Sequence, residues 1–467
     1  MIKRRDFIKN AAVAGAGFLI LKSGTRVGAQ APSNKLNIGM VGTWGRADAH
    51  FGVLKNENIV AMCDVNEDHL AHGLQHAPKA KPYTDWRKMF EQKDIDAVVC
   101  CTTDFTHAFV ANWALNRGQH IYCEKPLGVS VEEVRTVRAS YEKQRKKCAT
   151  QIGTQRHAME NFNRCRELVR DGAIGELKEA CAWGNRQVKP AGCEYDEKQG
   201  VIYMKDKSGE KRTAGYLPDA GAPPANLHYD NWIGPVQFHP YNPGYFEKGP
   251  GANCLSWNMF WDFGGGQIGD MGSHTMDLCW CALDADLPTT AEAKGDPLNN
   301  AITPIKCEFH FDVPANDWRG PIRVSWYEGG VMPQSPREYI DLKKIDHGAM
   351  WKGTKGFLVA GFNERILIPF GKETDMTYYK PRTKETVLPP LGGFQEEWIN
   401  AAKNGTPEKT TCNFNYGGKM IEMMDLGLVA YRVGKKLKYD GATGKTDSPE
   451  ADALLSKKYR DGWTLNG

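Results

Sequence analysis

The fold is decided by the stretch Ile121-Tyr122-Cys123-Glu124-Lys125-Pro126-Leu127. Its apolar first half, which begins at His120, predicts the end of a buried strand, and Pro126 stops that strand. Ligands of open α/β sheets bind outside the carboxyl ends of the strands. The stretch therefore directs Lys125 towards the place where a bound ligand would react.

Length and composition bound the class of protein. A chain of 467 residues is too long for one ordinary core, so two domains are expected. With 41% hydrophobic and 25% charged residues, the chain fits neither a disordered protein nor a membrane bundle. The 13 cysteines are scattered and several lie in apolar runs, so we interpret all of them as structural.

The N-terminus predicts an export signal of the twin-arginine type. Lys3-Arg4-Arg5 precedes an apolar run from Ala11 to Leu21 that is too short to span a bilayer, and Val27-Gly28-Ala29 is a small-residue cleavage pattern. We expect residues 1–29 to be removed, leaving a periplasmic or otherwise exported protein without a membrane anchor. Because that segment holds six basic residues and one acidic residue, the net charge of +4 becomes −1, and no basic patch indicates nucleic-acid binding.

A strand, a glycine loop and a helix follow one another at the start of the first domain. The apolar strand Leu36 to Val41 runs into Gly42-Thr43-Trp44-Gly45-Arg46, and residues 47–54 are a predicted helix. Such a loop can hold a pyrophosphate on its backbone N–H groups. Trp44 replaces the second glycine of the G-x-G-x-x-G pattern, which hinders close approach of the phosphates unless Gly45 takes that part.

An acidic residue follows the second predicted strand. Asp64 comes directly after the apolar run Ile59 to Cys63 and 22 residues after Gly42, where an acid can accept hydrogen bonds from the adenosine ribose. It would repel a 2′-phosphate, so NAD is favoured over NADP. The alternative is that Asp64 caps the helix that starts near Asn66.

Strands and helices continue to alternate up to about residue 150. The strand Asp96 to Cys101 ends in Thr102-Thr103-Asp104-Phe105-Thr106-His107, a helix continues from His107 to Arg117, and a helix from Ser130 to Gln144 closes the unit. This repeated βαβ pattern predicts an α/β Rossmann domain with a doubly wound parallel sheet over residues 35–150.

The second half, residues 151–440, is predicted to be an α+β domain, followed by a C-terminal tail over 441–467. Residues 187–255 lack periodicity, which suggests long loops over a site. Their aromatic side chains suit either stacking on sugar rings or a local core. These are Tyr216, Tyr229, Trp232, Tyr241, Tyr245 and Trp257. Five later runs predict the strands of an open, largely antiparallel sheet: Thr290 to Ala293, Ile305 to Val313, Ile322 to Tyr327, Gly356 to Gly361 and Arg365 to Pro369. Two predicted helices follow, Phe394 to Lys403 and Gly418 to Lys435.

A glycine-rich stretch, Gly264 to Asp277, carries the strongest polar signal of this half. A helix from Ile268 places Asp270, His274 and Asp277 on one face, at i, i+4 and i+7. That face is compatible with a divalent metal site, with a buried structural histidine, or with acid/base chemistry.

These motifs resemble the Gfo/Idh/MocA family, the relatives of glucose-fructose oxidoreductase and inositol dehydrogenase. The resemblance rests on the glycine loop, Asp64, Thr102 to His107 and above all Glu124-Lys125-Pro126. It extends over nearly the whole predicted mature chain, through Gln151 to Arg156, Asp171 to Gly175, Asn231 to Pro235 and Gly269 to His274.

The resemblance implies NAD as the cofactor, a homo-oligomer formed through the second sheet, and no metal. It favours acid/base chemistry, because the family's Asp-x-x-x-His pair stands opposite the lysine of Glu-Lys-Pro. The residues expected around NAD are Gly42, Thr43, Trp44, Gly45, Arg46, Asp64, Thr102, Asp104, His107, Glu124 and Lys125. Those expected around the substrate are Lys125, Arg156, Tyr229, Trp261, Asp270, His274 and Asp277.

Together these residues predict oxidation of a secondary hydroxyl of a sugar, glycoside or polyol, with hydride transfer to NAD. His274 would be the general base, Lys125 would stabilise the developing negative charge, and Asp270 would hold a neighbouring hydroxyl or the imidazole. An exported enzyme meets no free NAD pool, so the cofactor would stay bound and be recycled in place.

Two other functions stay open. One is a redox-neutral glycoside hydrolase or lyase that acts through a transient keto-sugar, usually oxidised at C3, although we find no Tyr-x-x-His arrangement of that branch. The other is a sugar-binding protein without turnover, against which the intact Lys125, Asp270 and His274 speak.

Overall fold

The computed structural model describes residues 35–206, 208–249, 253–338, 340–371 and 388–467. The predicted export signal, residues 1–29, lies outside this part of the chain. Within it, every helix is too short or too polar to cross a bilayer.

Six parallel strands form the first sheet, in the order β3-β2-β1-β4-β5-β6. They are β1 (Asn37–Val41), β2 (Asn58–Cys63), β3 (Lys81–Tyr83), β4 (Ala97–Cys100), β5 (His120–Cys123) and β6 (Thr150–Ile152). The helices between and after them are α1 (Asp48–Leu54), α2 (Glu67–His76), α3 (Trp86–Met89), α4 (Asp104–Asn116) and α5 (Val131–Gln144). The central strand β4 is wholly buried, as a parallel strand covered by helices on both faces should be. The predicted doubly wound parallel sheet is confirmed.

Nine strands form the second sheet, in the order β16-β15-β14-β7-β13-β12-β11-β17-β18. Only β7 and β13 pair in parallel within it. The strands are β7 (Leu177–Gly184), β11 (Thr290–Gly295), β12 (Cys307–Val313), β13 (Ile322–Glu328), β14 (His347–Gly353), β15 (Gly356–Ala360), β16 (Arg365–Pro369), β17 (Leu437–Asp440) and β18 (Lys445–Thr446). The predicted α+β domain with an open, largely antiparallel sheet is therefore confirmed.

Helices cover one face of this second sheet. The helices of the second half are α6 (Glu160–Arg170), α7 (Tyr229–Ile233), α8 (Cys254–Trp257), α9 (Ser273–Leu283), α10 (Phe394–Lys403), α11 (Tyr416–Val433) and α12 (Pro449–Asp452). Helices α9 and α11 bury Trp280 and Met424 in one core with Phe309 and Trp326 of the sheet. Strand β14 was not predicted, because six of its seven residues are buried and no alternating pattern marks it.

The loops predicted for residues 187–255 contain a three-stranded antiparallel sheet. Its strands are β8 (Cys193–Asp196), β9 (Val201–Lys205) and β10 (Lys211–Thr213). They escaped prediction because they are short, and β10 is exposed along its whole length. The aromatic residues of this region mainly form a local core, in which Tyr229, Tyr245 and Trp257 are buried.

The chain returns to the first sheet after β16 and before it adds β17 and β18 to the second. Helix α10 packs against the Rossmann core, where Trp398 Nε1 donates to Ala149 O at 3.1 Å. The tail also docks there, because Asn112 Nδ2 on α4 donates to Leu465 O at 2.9 Å and Arg460 binds Asp230. Segments from the C-terminal part of the chain, after residue 388, thus contact both halves.

Candidate active site

One cleft, with a volume of about 540 Å³, collects the ends of four parallel strands and the start of the helix pair around residue 270. The first sheet contributes Gly42, Trp44 and Arg46 after β1, Asp64 after β2, Thr102 and Asp104 after β4, and Glu124 and Lys125 after β5. The second half contributes Arg186, Asp270 and His274. Convergence of parallel strand ends explains why residues so far apart in sequence meet here.

The glycine loop is shaped by contacts behind it. Gly42 has φ +85°, and a Cβ there would lie 2.4 Å from the backbone oxygen of Cys101. Trp44, which departs from the glycine pattern, stacks its indole on the His69 ring, with 4.2 Å between the ring centroids and an interplanar angle of 5°. Thr43 is fully buried and donates to His69 O at 2.8 Å, so its hydroxyl supports the loop rather than facing the cleft.

Asp64 sits where a ribose diol would be held. Its Oδ2 accepts from Thr43 N at 2.9 Å and its Oδ1 accepts from Asn66 N at 3.0 Å, which leaves further lone pairs on both oxygens. The cap of α2 is Asn66, which accepts from Asp68 N, so the alternative in which Asp64 caps this helix is wrong. The tight Gly42 turn and this acid together fit a bound NAD.

Replacing Gly42 by alanine should release the cofactor. The substitution combines a left-handed backbone with a backbone clash, so we expect more than the roughly 1–2 kcal/mol of left-handed strain alone. The dinucleotide content of the purified variant, measured by mass spectrometry, should be lower than that of the native protein, and its melting temperature should also be lower. Gly118→Ala is the matched control, because Gly118 has φ +72° but no neighbour near its Cβ position, and it should keep the dinucleotide.

Lys125 and Asp270 form a buried ion pair across the cleft. Burial disfavours charge on Lys125, yet the attraction of Asp270 dominates and raises the pKa of the lysine above its usual value. Burial also opposes charge on Asp270, but Lys125 outweighs it and lowers the pKa of the carboxyl. Both groups are therefore charged at neutral pH, and the Lys125 ammonium group lines the cleft.

His274 is a neutral imidazole beside this pair. Burial, and then the positive charge of Lys125, lower the pKa of His274 to about 3. Within the described chain, its Nδ1 is buried and has no hydrogen-bond partner, which leaves Nε2 as the nitrogen that faces the cleft. With its hydrogen on Nδ1, the ring can accept a proton on Nε2.

Glu124 is occupied by the protein itself. It accepts from Arg46 Nε, His50 Nε2 and Gln155 Nε2, each at 2.9 Å. Burial disfavours its charge, but these donors prevail and lower the pKa of Glu124 to about 2. Glu124 lines the cleft, as expected of a residue around NAD, and its carboxylate anchors Arg46 next to the backbone that carries Lys125.

His107 is held in a similar way. Its Nδ1 lies 2.7 Å from Pro126 O, and its Nε2 lies 3.1 Å from Thr102 O. Both nitrogens of this buried ring face backbone carbonyls, so His107 supports the segment after β5 while its edge lines the cleft. Asp104 lines the cleft as well, and burial raises its pKa to about 8.

Asp277 does not reach the cleft, which corrects its predicted place beside the substrate. It is fully buried between His157 Nδ1, at 2.9 Å, and Tyr416 OH, at 2.6 Å. The reason is a π-helical turn over Ile268–Gly272 before α9 begins. A π turn rotates less per residue than an α turn, so Asp270 and His274 stay aligned while Asp277 turns away.

Three more predicted substrate residues lie outside the residues that line the cleft. Tyr229 donates to His239 O at 2.9 Å, and Trp261 Nε1 donates to Asn299 O at 2.8 Å, so both use their polar atoms in packing. The Arg156 guanidinium lies 3.8 Å from the centre of the Phe362 ring. Sequence reasoning missed Arg186, Asn231 and Cys254, which line the cleft. Arg186 could have been found by its position two residues after β7, at the end of a strand.

The chain is similar to known oxidoreductases in both halves. Residues 36–152 match the NAD-binding Rossmann fold of an oxidoreductase family, and residues 215–305 match an oxidoreductase family's C-terminal alpha/beta domain. Inositol 2-dehydrogenase of Salmonella paratyphi B is 30% identical over 146 residues, which is 30% of this chain and 43% of that protein. A glycosyl hydrolase family 109 protein of Solibacter usitatus is 25% identical over 260 residues, 50% of this chain and 54% of that protein. The chain thus spans about half the length of these relatives.

Solved structures share the fold. The WlbA dehydrogenase of Chromobacterium violaceum, in complex with NADH and UDP-GlcNAcA, superimposes with a TM-score of 0.59 at 16% identity and covers 89% of this chain and 99% of its own. At that identity the likeness shows the fold alone. The matched family domain establishes that residues 36–152 form an NAD-binding Rossmann fold, as predicted.

Proposed function

We propose that this chain, whose residues 36–152 and 215–305 match two domains of an oxidoreductase family, is an NAD-dependent dehydrogenase of the Gfo/Idh/MocA type that acts on a secondary hydroxyl of a sugar, glycoside or polyol. The observation that carries the proposal is the meeting of Lys125, Asp270 and His274 in the cleft that also holds the glycine loop and Asp64. The inositol 2-dehydrogenase relative supports a polyhydroxylated substrate.

Bound NAD would accept the hydride from the carbinol carbon. The chain's own task is the hydroxyl proton and the charge on the oxygen. The Lys125 ammonium donates a hydrogen bond to the substrate oxygen and stabilises negative charge as the O–H bond breaks, in a site where burial strengthens electrostatic attraction.

His274 takes the proton on Nε2. The imidazolium that forms lies near the Asp270 carboxylate, which favours the charged ring and offsets part of the cost of burial. Asp270 thus serves both Lys125 and His274. Run in reverse, the imidazolium returns the proton and a ketone is reduced.

A substrate screen tests this function on the purified protein. Bound dinucleotide is first identified by mass spectrometry, and polyols, free sugars and glycosides are then added while the absorbance of reduced nicotinamide is followed. We expect reduction with at least one hydroxylated substrate and none with the same compound deoxygenated at the reacting carbon. Protein that carries no dinucleotide and reduces none added would instead favour the sugar-binding alternative.

A redox-neutral glycoside hydrolase is the second candidate. It is favoured by the glycosyl hydrolase family 109 match, which is longer than the inositol dehydrogenase match although its identity is lower. Transient oxidation would acidify the C–H bond beside the new ketone, allow the glycosidic bond to break, and then be reversed. Solvent deuterium retained beside the anomeric carbon of a released sugar would support this reaction, whereas a free keto-sugar product without deuterium would exclude it.

The proposal also includes export and a retained cofactor. If residues 1–29 direct the folded protein through the twin-arginine route, it leaves the NAD pool behind and must recycle the dinucleotide it carries. Replacing Arg4 and Arg5 with lysine should keep the protein in the cytoplasm, as cell fractionation would show. A homo-oligomer through the outer face of the second sheet is part of the same proposal and is tested by light scattering.

A further inference from the structure

Two arginines lie beside the Asp270 and His274 pair without an acidic partner. Arg186 lines the cleft with these two residues. In the described part of the chain, neither the Arg156 nor the Arg186 guanidinium takes part in an ion pair or a hydrogen bond, and the Arg156 guanidinium lies over the face of Phe362 at 3.8 Å. Guanidinium groups carry five N–H donors and are seldom left beside a site without acceptors.

Packing brings the two arginines to one side of the cleft. The Phe362 ring below Arg156 also stacks on His347, with 6.0 Å between ring centroids. His347 pairs with Gly184 across strands β14 and β7, and Arg186 follows Gly184 by two residues. The backbone between them is fixed, because Asn185 N donates to Asp346 O at 2.8 Å.

The charges on this side do not balance. Burial, and then the charge of Arg186, lower the pKa of Arg156, so the two guanidinium groups repel each other. His347, through burial and Arg186, has its pKa lowered to about 4 and adds no charge at neutral pH. Asp270 is already paired with Lys125, and Asp346 is exposed and forms no ion pair with either arginine. The acceptor that would balance Arg156 and Arg186 is therefore expected from the ligand.

We propose that the substrate is a sugar acid, and that Arg186 binds its carboxylate with the added positive charge of Arg156 behind it, while Lys125 and His274 act on one of its hydroxyl groups. This rests on the proposed dehydrogenase function and narrows it. A carboxylate fits because its two oxygens match the paired N–H donors of a guanidinium group. A sulfate ester carries a negative charge as well, and the test below distinguishes a sulfate ester from a carboxylate.

The test compares matched substrates on the cofactor-loaded enzyme. Methyl glucuronide, methyl glucoside and methyl glucoside 6-sulfate differ only in the group at the sixth carbon, and the same comparison is made in the galacto series. Dinucleotide reduction gives kcat/KM and calorimetry gives Kd. We expect the uronide of the productive series to exceed the neutral glycoside by about ten- to a hundredfold in kcat/KM, the range for hydrogen bonds to a charged group.

Variants assign the effect to the arginines. Arg186→Gln should remove most of the preference for the uronide, and Arg156→Gln should reduce it, with the preference measured as the ratio of kcat/KM for the uronide to kcat/KM for the neutral glycoside. Arg323→Gln is the control, because Arg323 is paired with Glu292 and Asp312 on the second sheet. A neutral glycoside equal to the uronide, or a 6-sulfate better than the uronide, would overturn the sugar-acid assignment.

Calorimetry keeps the two proposals apart. If no sugar reduces the dinucleotide but the uronide binds, and Arg186→Gln abolishes that binding, the anion site stands and the dehydrogenase function fails. If neutral sugars reduce the dinucleotide and the uronide neither binds nor reacts, the dehydrogenase function stands and the sugar-acid assignment fails.

Discussion

Replacing Lys125 by alanine is expected to abolish turnover while NAD stays bound. The ammonium is the only described cation that forms an ion pair with Asp270 in the cleft, and its loss removes the donor to the substrate oxygen. Removal of one such donor costs about 10²–10³ in kcat elsewhere. We expect at least that loss here, since the variant also leaves Asp270 buried without its partner.

The measurement separates chemistry from binding. Single-turnover reduction of bound NAD should fall, whereas dinucleotide content should match that of the native protein because Glu124 and its three donors are untouched. Lys352→Ala is the control: Lys352 pairs with Glu179 on a partly exposed strand of the second sheet and should leave the rate unchanged. Near-native turnover in Lys125→Ala would refute the role given to this lysine.

Replacing His274 by asparagine should lower kcat by about 10²–10⁴, the usual contribution of a general base. Asparagine keeps the polarity of the position but cannot take the proton. NAD content should be unchanged, and His72→Asn on the surface of α2 serves as the control. Turnover of His274→Asn within a few fold of the native rate would show that another group accepts the proton.

The low pKa of His274 adds a pH signature to the same variant. The folded protein holds this ring at a pKa of about 3, whereas an unfolded chain holds it near 6.5. The unfolded state therefore binds more protons between these values, and folding stability falls as the pH drops from about 6.5 towards 3. His274→Asn lacks this contribution, so urea unfolding should show a smaller loss of stability between pH 6.5 and pH 4 than in the native protein. An equal loss in both would contradict the buried, neutral ring.

One short turn connects the two halves of the site. Gln155 and His157 lie on the same 3₁₀ turn, Gln155–Ala158. Gln155 binds Glu124, the residue before Lys125, and His157 binds Asp277, one turn after His274. The distance between Lys125 and His274 is therefore set by buried hydrogen bonds that touch neither substrate nor cofactor. Asp277 matters through this contact and not through the substrate contact that the helix pattern predicted.

Local patterns identified the parts of the site that depend on chain direction. A buried strand followed by Lys125-Pro126, a glycine loop, and an acid after the next strand all sit at carboxyl ends of parallel strands, so their meeting follows from topology. The same patterns could not find β8 to β10, because these strands are short and do not alternate between apolar and polar residues. Nor could they find β14, in which six of seven residues are buried and no polar alternation marks a strand.

By itself the sequence determined the Rossmann sheet and the NAD loop, because period and spacing are properties of the chain alone, whereas the choice of Lys125, Asp270 and His274 as a catalytic set rested on the family resemblance. Only the tertiary structure decided which polar groups face the cleft. A π turn rotated Asp277 into the interior, and three donors from two segments distant from Glu124 occupied its carboxylate. Arg156 packs against Phe362 near Arg186 and forms no ion pair with any residue that the structure describes. These outcomes depend on long-range contacts, in which the burial and partners of each side chain are set by residues far away in sequence.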